Sequence, residues 1–294
     1  MLFIQALGFG VITASLIAIG AMGFTIQFGL TNVLNISYAG IMTAGAFAAF
    51  IAEELHLPLV LGVVLALTVG AGVTWLLGRT LFAFFARRGA GLFEMVMVTL
   101  AVNLILQFGI DAASREQIYR FAFPQGTSLH GGPFTVTVTQ LVLIVVAVAV
   151  FAGLELLLRR TRLGKALRAM AAEPRLARTC GIPTGRIVNV VWLLSGALAG
   201  LAGLAYVINS LSIDASVGTG FLPLVLAAAI LGRAGSTRGA VLAALALGVV
   251  TEEVAAFGGA AYGSVAGFGI LALVLLTRPA AVAGQAAGKV EVTV

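Results

Sequence analysis

The stretch VTQLVLIVVAVAVFAGLELLL, residues 138–158, decides the fold class. It is apolar over about the 20 residues a helix needs to cross a bilayer, and it does not alternate with a period of two. RRTRLGKALRAMAAEPRLARTCGIPTGR, residues 159–186, follows directly. An apolar run that ends in arginines reads as a membrane helix that stops at a charged interface.

The rest of the chain agrees. Of its 294 residues 61% are hydrophobic and only 10% charged, with mean hydropathy +1.12. A soluble domain carries roughly a quarter charged residues. In lipid the backbone must satisfy its own hydrogen bonds, so the options are helices or a closed barrel, and runs this long exclude the barrel. The expected fold is an all-α polytopic bundle with spans at 6–28, 32–52, 59–78, 93–111, 138–158, 187–208, 217–232, 239–256 and 260–277. The second holds Asn32, Asn35, Ser37, Tyr38, Gly40 and Gly45 and is read as broken. The seventh is short and holds Pro223, so it is read as a half-helix or re-entrant segment; the count is therefore eight or nine. Residues 1–278 form the membrane domain and 279–294 a loosely ordered cytoplasmic tail. No cleavable signal peptide is evident at the start.

Lys and Arg accumulate on the cytoplasmic side. With the N-terminus outside, the inner side collects Arg79, Arg87, Arg88, eight basic residues between 159 and 186, Arg233, Arg238, Arg278 and Lys289. Only Arg115 and Arg120 fall outside. Glu53, Glu54, Asp111, Glu116, Asp214, Glu252 and Glu253 land outside or near the outer ends. This reads as a multi-pass protein of the inner (plasma) membrane, with its basic loops in the cytoplasm. Topology accounts for the net charge of +6, and no nucleic acid is implied. The longest outer connection, about 112–137, holds Pro124, Gly126, Gly131, Gly132 and Pro133 and then alternates Thr and Val. A plain connector is slightly favoured there over a hairpin or a lid.

Glycine is abundant, 37 residues, and spaced for close helix packing: Gly196, Gly200 and Gly203 in one stripe, Gly259, Gly263 and Gly267 in another. These stripes indicate a tight bundle and nothing about cargo. The basic loop carries more. Arg162, Lys165 and Arg168 share one helical face, with Leu163, Leu167 and Met170 on another. Pro174 suits the first turn of a new helix with Glu173 at its positive end, Gly181 suits its C-terminal cap, and Pro183 stops it. A short separate helix is expected at about 174–180. Topology alone needs only a few charges, so a loop this long and punctuated reads as a docking element for a partner.

Polar groups inside spans are the candidates for a permeation pathway: Asn32, Asn35, Ser37 and Tyr38 in the second, Thr99, Asn103 and Gln107 in the fourth, and Asn189, Ser195 and Asn209 in the sixth. Thr99, Asn103 and Gln107 share a face by i, i+4 spacing. For each, a hydrogen bond between helices is as good a reading as a place on a wet cavity wall. No charge sits near a span centre, which argues against ion coupling and for an external energy source. The chain has no G-x-x-x-x-G-K-[ST] loop; Gly164-Lys165 is followed by Ala166, and GRAGSTRG at 232–239 has no lysine. His56 and His130 are lone loop residues and Cys180 is the only cysteine, so neither a metal centre nor a disulfide is suggested. Catalytic and cofactor-binding residues are not expected, and a membrane enzyme is the least supported class.

Three stretches resemble the permease subunits of branched-chain amino-acid ABC transporters, the Liv type, in its shorter LivH-like form. They are GLTNVLNISYAGIMTAGAFAAF, RRTRLGKALRAMAAEPRLARTCGI and FLPLVLAAAILGRAGSTRGAVLAALALGVVTEEV. The resemblance implies an importer: two permease subunits, usually a heterodimer; two cytoplasmic ATPases that bind ATP and Mg; and a periplasmic or surface solute-binding protein. It also implies that the loop's Glu173, Pro174, Arg175, Leu176, Arg178 and Gly181 form the coupling helix that sits in a groove of the ATPase. Two departures stand out. Arg233 replaces a usual glycine, and Ser37-Tyr38-Ala39 replaces a more polar segment that often contains His. The family also moves amides, urea and other small solutes, so those cargoes stay open beside branched-chain amino acids. A self-sufficient carrier or channel is the remaining alternative.

Overall fold

A computed structural model describes residues 2–121, 128–131, 134–233 and 235–277. Helices stand at all nine expected positions. α1 (Leu2–Thr31) is followed by a non-helical connector and α2 (Tyr38–Glu54). α3 (Leu59–Leu77) continues through a π turn (Gly78–Phe82) into α4 (Ala83–Arg87), so the third span is longer than its expected end at residue 78. The indole of Trp192 lies against Gly78 at this turn, where an added Cβ would come within 2.7 Å of the ring. α5 (Leu92–Ser114) and α6 (Val138–Arg160) each span 23 residues. After the basic loop come α9 (Thr184–Ser210), α10 (Val217–Leu231), α11 (Thr237–Gly258) and α12 (Ala260–Thr277).

Six of these are long and apolar enough to cross a membrane: α1, α3 with its continuation, α5, α6, α9 and α11. α2 and α10 are shorter, 17 and 15 residues. α2 begins six residues later than the sequence suggests, because Asn32 takes a left-handed conformation (φ 51°) and 33–35 leave the helix. The seventh span is short, as expected, and Pro223 lies inside it.

Burial separates a centre from a rim. The apolar windows of α1 and α9 are 83% and 72% buried, against 17–22% for α3, α5 and α6. α1 and α9 are therefore the axis, and α3, α5 and α6 leave most of their apolar windows exposed at the rim. Glycine makes the axis possible. A Cβ on Gly203 would collide with the Met42 carbonyl, and one on Gly196 with the Gly70 carbonyl, so α2 and α3 lie backbone to backbone on α9. Gly263 meets α11 and Gly267 meets Leu224 of α10. Gly259 differs from expectation: at φ 100° it is the break between α11 and α12 and not a packing position.

The end opposite the basic loop carries small ladders. β1 (Tyr119–Arg120) pairs antiparallel with β4 (Ser212–Ile213), and Phe50 at the end of α2 packs on Tyr119 with ring centroids 5.0 Å apart. β2 (Ser128–Gly131) pairs with β3 (Phe134–Thr137), so the favoured plain connector is in fact a hairpin. Thr137 then caps α6, accepting the Gln140 N–H at 3.4 Å while the Gln140 side chain accepts the Thr137 N–H at 3.0 Å. Pro124, Gly126, Gly132, Pro133, Arg278, Lys289 and the tail 279–294 lie outside the described residues.

Candidate functional site

Two regions carry the candidate residues. At the basic end, Thr161 ends α6 and starts α7 (Arg162–Ala172), its hydroxyl oxygen accepting the Gly164 N–H at 3.1 Å. A Cβ on Gly164 would strike the Leu158 carbonyl, so glycine lets α7 fold back on the end of α6. Arg168 closes the same corner by donating to the Leu158 carbonyl, one of the acceptors that α6 leaves unpaired at its end. Leu167 and Met170 are buried, while Arg162, Lys165 and Arg168 are exposed, as the periodicity requires.

Glu173 is extended and separates α7 from α8 (Pro174–Thr179). Pro174 occupies the first turn, where its missing N–H costs nothing. The far end is a Schellman cap: Gly181 sits at φ 79°, its N–H donates to the Arg178 carbonyl and the Ile182 N–H to the Ala177 carbonyl. Ala177 is the buried foot. Glu173, Arg175, Leu176, Arg178 and Gly181 are exposed and Pro174 half-buried. Leu176 is 63% exposed, an apolar knob on a charged helix. All six residues expected at a partner surface thus share one short, rigidly capped element.

Beside this loop, Glu155 of α6 gathers donors from two helices. Arg159 pairs with it, the Arg238 side chain reaches it at 2.7 Å, and the Thr237 hydroxyl at 3.3 Å. Arg238 lies in the first turn of α11, at the end of the GRAGSTRG stretch that joins α10 to α11. Gly232 and Gly239 touch there so closely that neither has room for a Cβ. Arg233 takes φ 68° and Gly235 φ 87°, and the Ser236 hydroxyl oxygen caps α11 by accepting the Gly239 N–H at 3.2 Å. Arg233 thus holds a left-handed angle that a glycine would adopt without strain.

The expected pathway residues fall into two sets. Asn35, Ser37, Tyr38, Thr99 and Asn103 are buried and hydrogen-bonded. Asn35 donates to Gln27 Oε1 at 3.3 Å, and the Ser195 hydroxyl donates to the same oxygen at 3.0 Å. Ser37 donates to Asn35 Oδ1, and the Tyr38 hydroxyl donates to the Gly20 carbonyl at 2.9 Å. Thr99 Oγ1 accepts the Ile36 N–H at 3.2 Å, and Asn103 Oδ1 accepts the Gly40 N–H at 2.8 Å. Side chains of α1 and α5 thus reach the connector before α2, Asn103 reaches the first turn of α2 itself, and Ser195 of α9 holds Gln27 in place. Asn32 and Gln107 form the second set and are only partly buried. Gln107 accepts a hydrogen bond from the Thr219 hydroxyl at 2.9 Å. Thr219 is exposed at the start of α10, where the Gly218 N–H donates to Thr43 Oγ1 at 3.0 Å. Around this pair α5 shows Leu104, Ile105 and Phe108, all exposed. Asn189 and Asn209 are half-buried on α9. The sequence reading missed Gln27, Thr43 and Thr219. Gln27 alone carried a signal, as a lone amide within an apolar span.

The family described as branched-chain amino acid transport system / permease component matches residues 6–277. The chain is similar to the high-affinity branched-chain amino acid transport system permease protein BraD of Pseudomonas aeruginosa, 29% identical over 96% of each chain. It is 30% identical to the probable branched-chain amino acid transport permease protein LivH of Methanocaldococcus jannaschii, over 93% of this chain and 90% of that one. It is 25% identical to the high-affinity branched-chain amino acid transport system permease protein LivH of Escherichia coli K12, over 96% of each.

Proposed function

The chain belongs to the branched-chain amino acid transport permease family, and from that premise we propose that it is the membrane half of an ATP-driven importer for branched-chain or related amino acids. As the permease of an ABC importer it works with ATP-hydrolysing and solute-binding partners and hydrolyses nothing itself. The observation that carries the coupling role is α8, with Leu176 and Arg175 displayed on a helix that Pro174 begins and the Gly181 cap ends. The basic end faces the cytoplasm. There α8 enters a groove of an ATPase subunit, which binds ATP and Mg. Closing of two ATPases draws two such loops together and opens the pathway outward; release of the hydrolysis products returns it inward.

A second permease subunit, in a heterodimer, covers the face of α5 and α10. A hydrogen-bonded amide and hydroxyl at membrane depth are poorly solvated by lipid, so Gln107 and Thr219 face protein or a wet passage. This makes Gln107 and Thr219 the pathway residues, with the buried set around Asn35 as their support. Relatives named for branched-chain amino acids favour that cargo. Another small polar solute, an amide, urea or other amino acid, fits the same surface chemistry.

The test is co-purification and uptake in vesicles with Arg175→Glu and Leu176→Asp combined. The ATPase is expected to be lost and uptake to fall at least tenfold, about 1.4 kcal/mol or more in docking, with the chain's own thermal unfolding unchanged. Normal assembly and uptake would overturn the docking assignment. A binding scan of the cognate solute-binding protein against branched-chain amino acids, amides and urea settles the cargo.

A further inference from the structure

The corner between the loop and the bundle holds a cavity of about 270 Å³. Its walls come from four elements: the last turns of α1, the end of α6, the inner face of α7 and the start of α11. The floor is apolar, built by Ile26, Leu30, Leu158 and Leu167. The rim is cationic, with Arg159, Arg168 and Arg238 from three different helices. One carboxylate, Glu155, is shared by Arg159 and Arg238, so the site keeps an excess of two positive charges. Arg168 spends one guanidinium nitrogen on the Leu158 carbonyl and keeps its other donors. α11 begins at Thr237 with the positive end of its dipole at the same wall.

Depth and chemistry together identify the occupant. The rim sits at the charged ends of α6 and α11, where headgroups lie, and the floor beneath it is apolar. A soluble anion would match the rim and leave the floor against water. An anionic amphiphile matches both, and basic pockets between membrane helices are read in general as headgroup sites. We propose that this cavity binds the phosphate of an anionic phospholipid in the leaflet at the basic end, with the first methylenes of an acyl chain on the Ile26–Leu30 floor. The lipid would tie α7, and through it α8, to α1 and α11. This assignment stands apart from the transport reading and is tested without it.

The purified chain in uncharged detergent is titrated with phosphatidylglycerol and with phosphatidylcholine, and bound lipid is counted by native mass spectrometry. Wild type should prefer phosphatidylglycerol about tenfold. Arg168→Gln with Arg238→Gln should reduce that preference to within twofold. Arg160→Gln, an exposed arginine outside the cavity, should leave it intact. Ala171→Phe, at an exposed position of the lining, should lower phosphatidylglycerol binding at unchanged charge and decides the matter if the double variant does not fold. A preference that survives both the double variant and Ala171→Phe overturns the site. Displacement of phosphatidylglycerol by glycerol phosphate at equal concentration overturns the lipid and assigns a free anion.

Discussion

Residues 32–37 and residues 161–183 both interrupt apolar helices with polar side chains, and they use them in opposite ways. The first stretch turns them inward: Asn35 and Ser37 are buried, and neighbouring helices supply the partners for its backbone. The second turns them outward: α7 and α8 satisfy their own ends with Thr161, Pro174 and Gly181 and leave a charged surface over. Backbone that sits at membrane depth must be paid for by protein. Backbone at the interface has water, so its side chains need not turn inward to satisfy it. Substitutions in the first stretch should therefore act on stability, and those in the second on assembly and transport.

The harshest challenge to this contrast is Gly203→Leu on the axis. The side chain has no place against the Met42 carbonyl, and overpacking typically costs about 1–3 kcal/mol, more where backbone must move. No folded protein should be recovered by size-exclusion chromatography. Next is Leu176→Asp alone, for which uptake should fall several-fold while the unfolding temperature in detergent stays within about 2 °C of wild type. A large loss of thermal stability there would erase the distinction between the two stretches. Asn103→Leu should destabilise by about 1–2 kcal/mol, because it strands the buried Gly40 N–H. Thermal unfolding checks it, and a neutral result would mean that Asn103 does not hold the start of α2. The mildest is Arg233→Gly, which removes a left-handed angle from a side chain and should stabilise by about 1 kcal/mol without changing uptake.

The exposed loop was also the more legible of the two. Pro174, Gly181 and the Arg162, Lys165, Arg168 spacing are local signals, and the structure ends α8 at Thr179, one residue short of the expected limit. The spans were legible because apolar length is a local property. Legibility stops where partners are distant in sequence. Nothing near Asn103 says that it accepts from Gly40, nor near Tyr119 that its strand pairs with Ile213. Asn35, Ser37 and Gln107 look alike as polar residues in apolar spans; only packing sorts the buried pair from the one on the surface. The cavity of α1, α6, α7 and α11 gathers short groups of residues from four distant places in the chain, so no one motif announces it.

The dependence of the connector on α5 also bears on how the chain is made. Ile36 and Gly40 each find their acceptor 63 residues downstream, at Thr99 and Asn103. At roughly 5–20 residues per second, about 3–13 s of synthesis separate donor from acceptor. During that interval these two N–H groups lack the acceptors they have in the folded chain, so the start of α2 is completed only after α5 has been made.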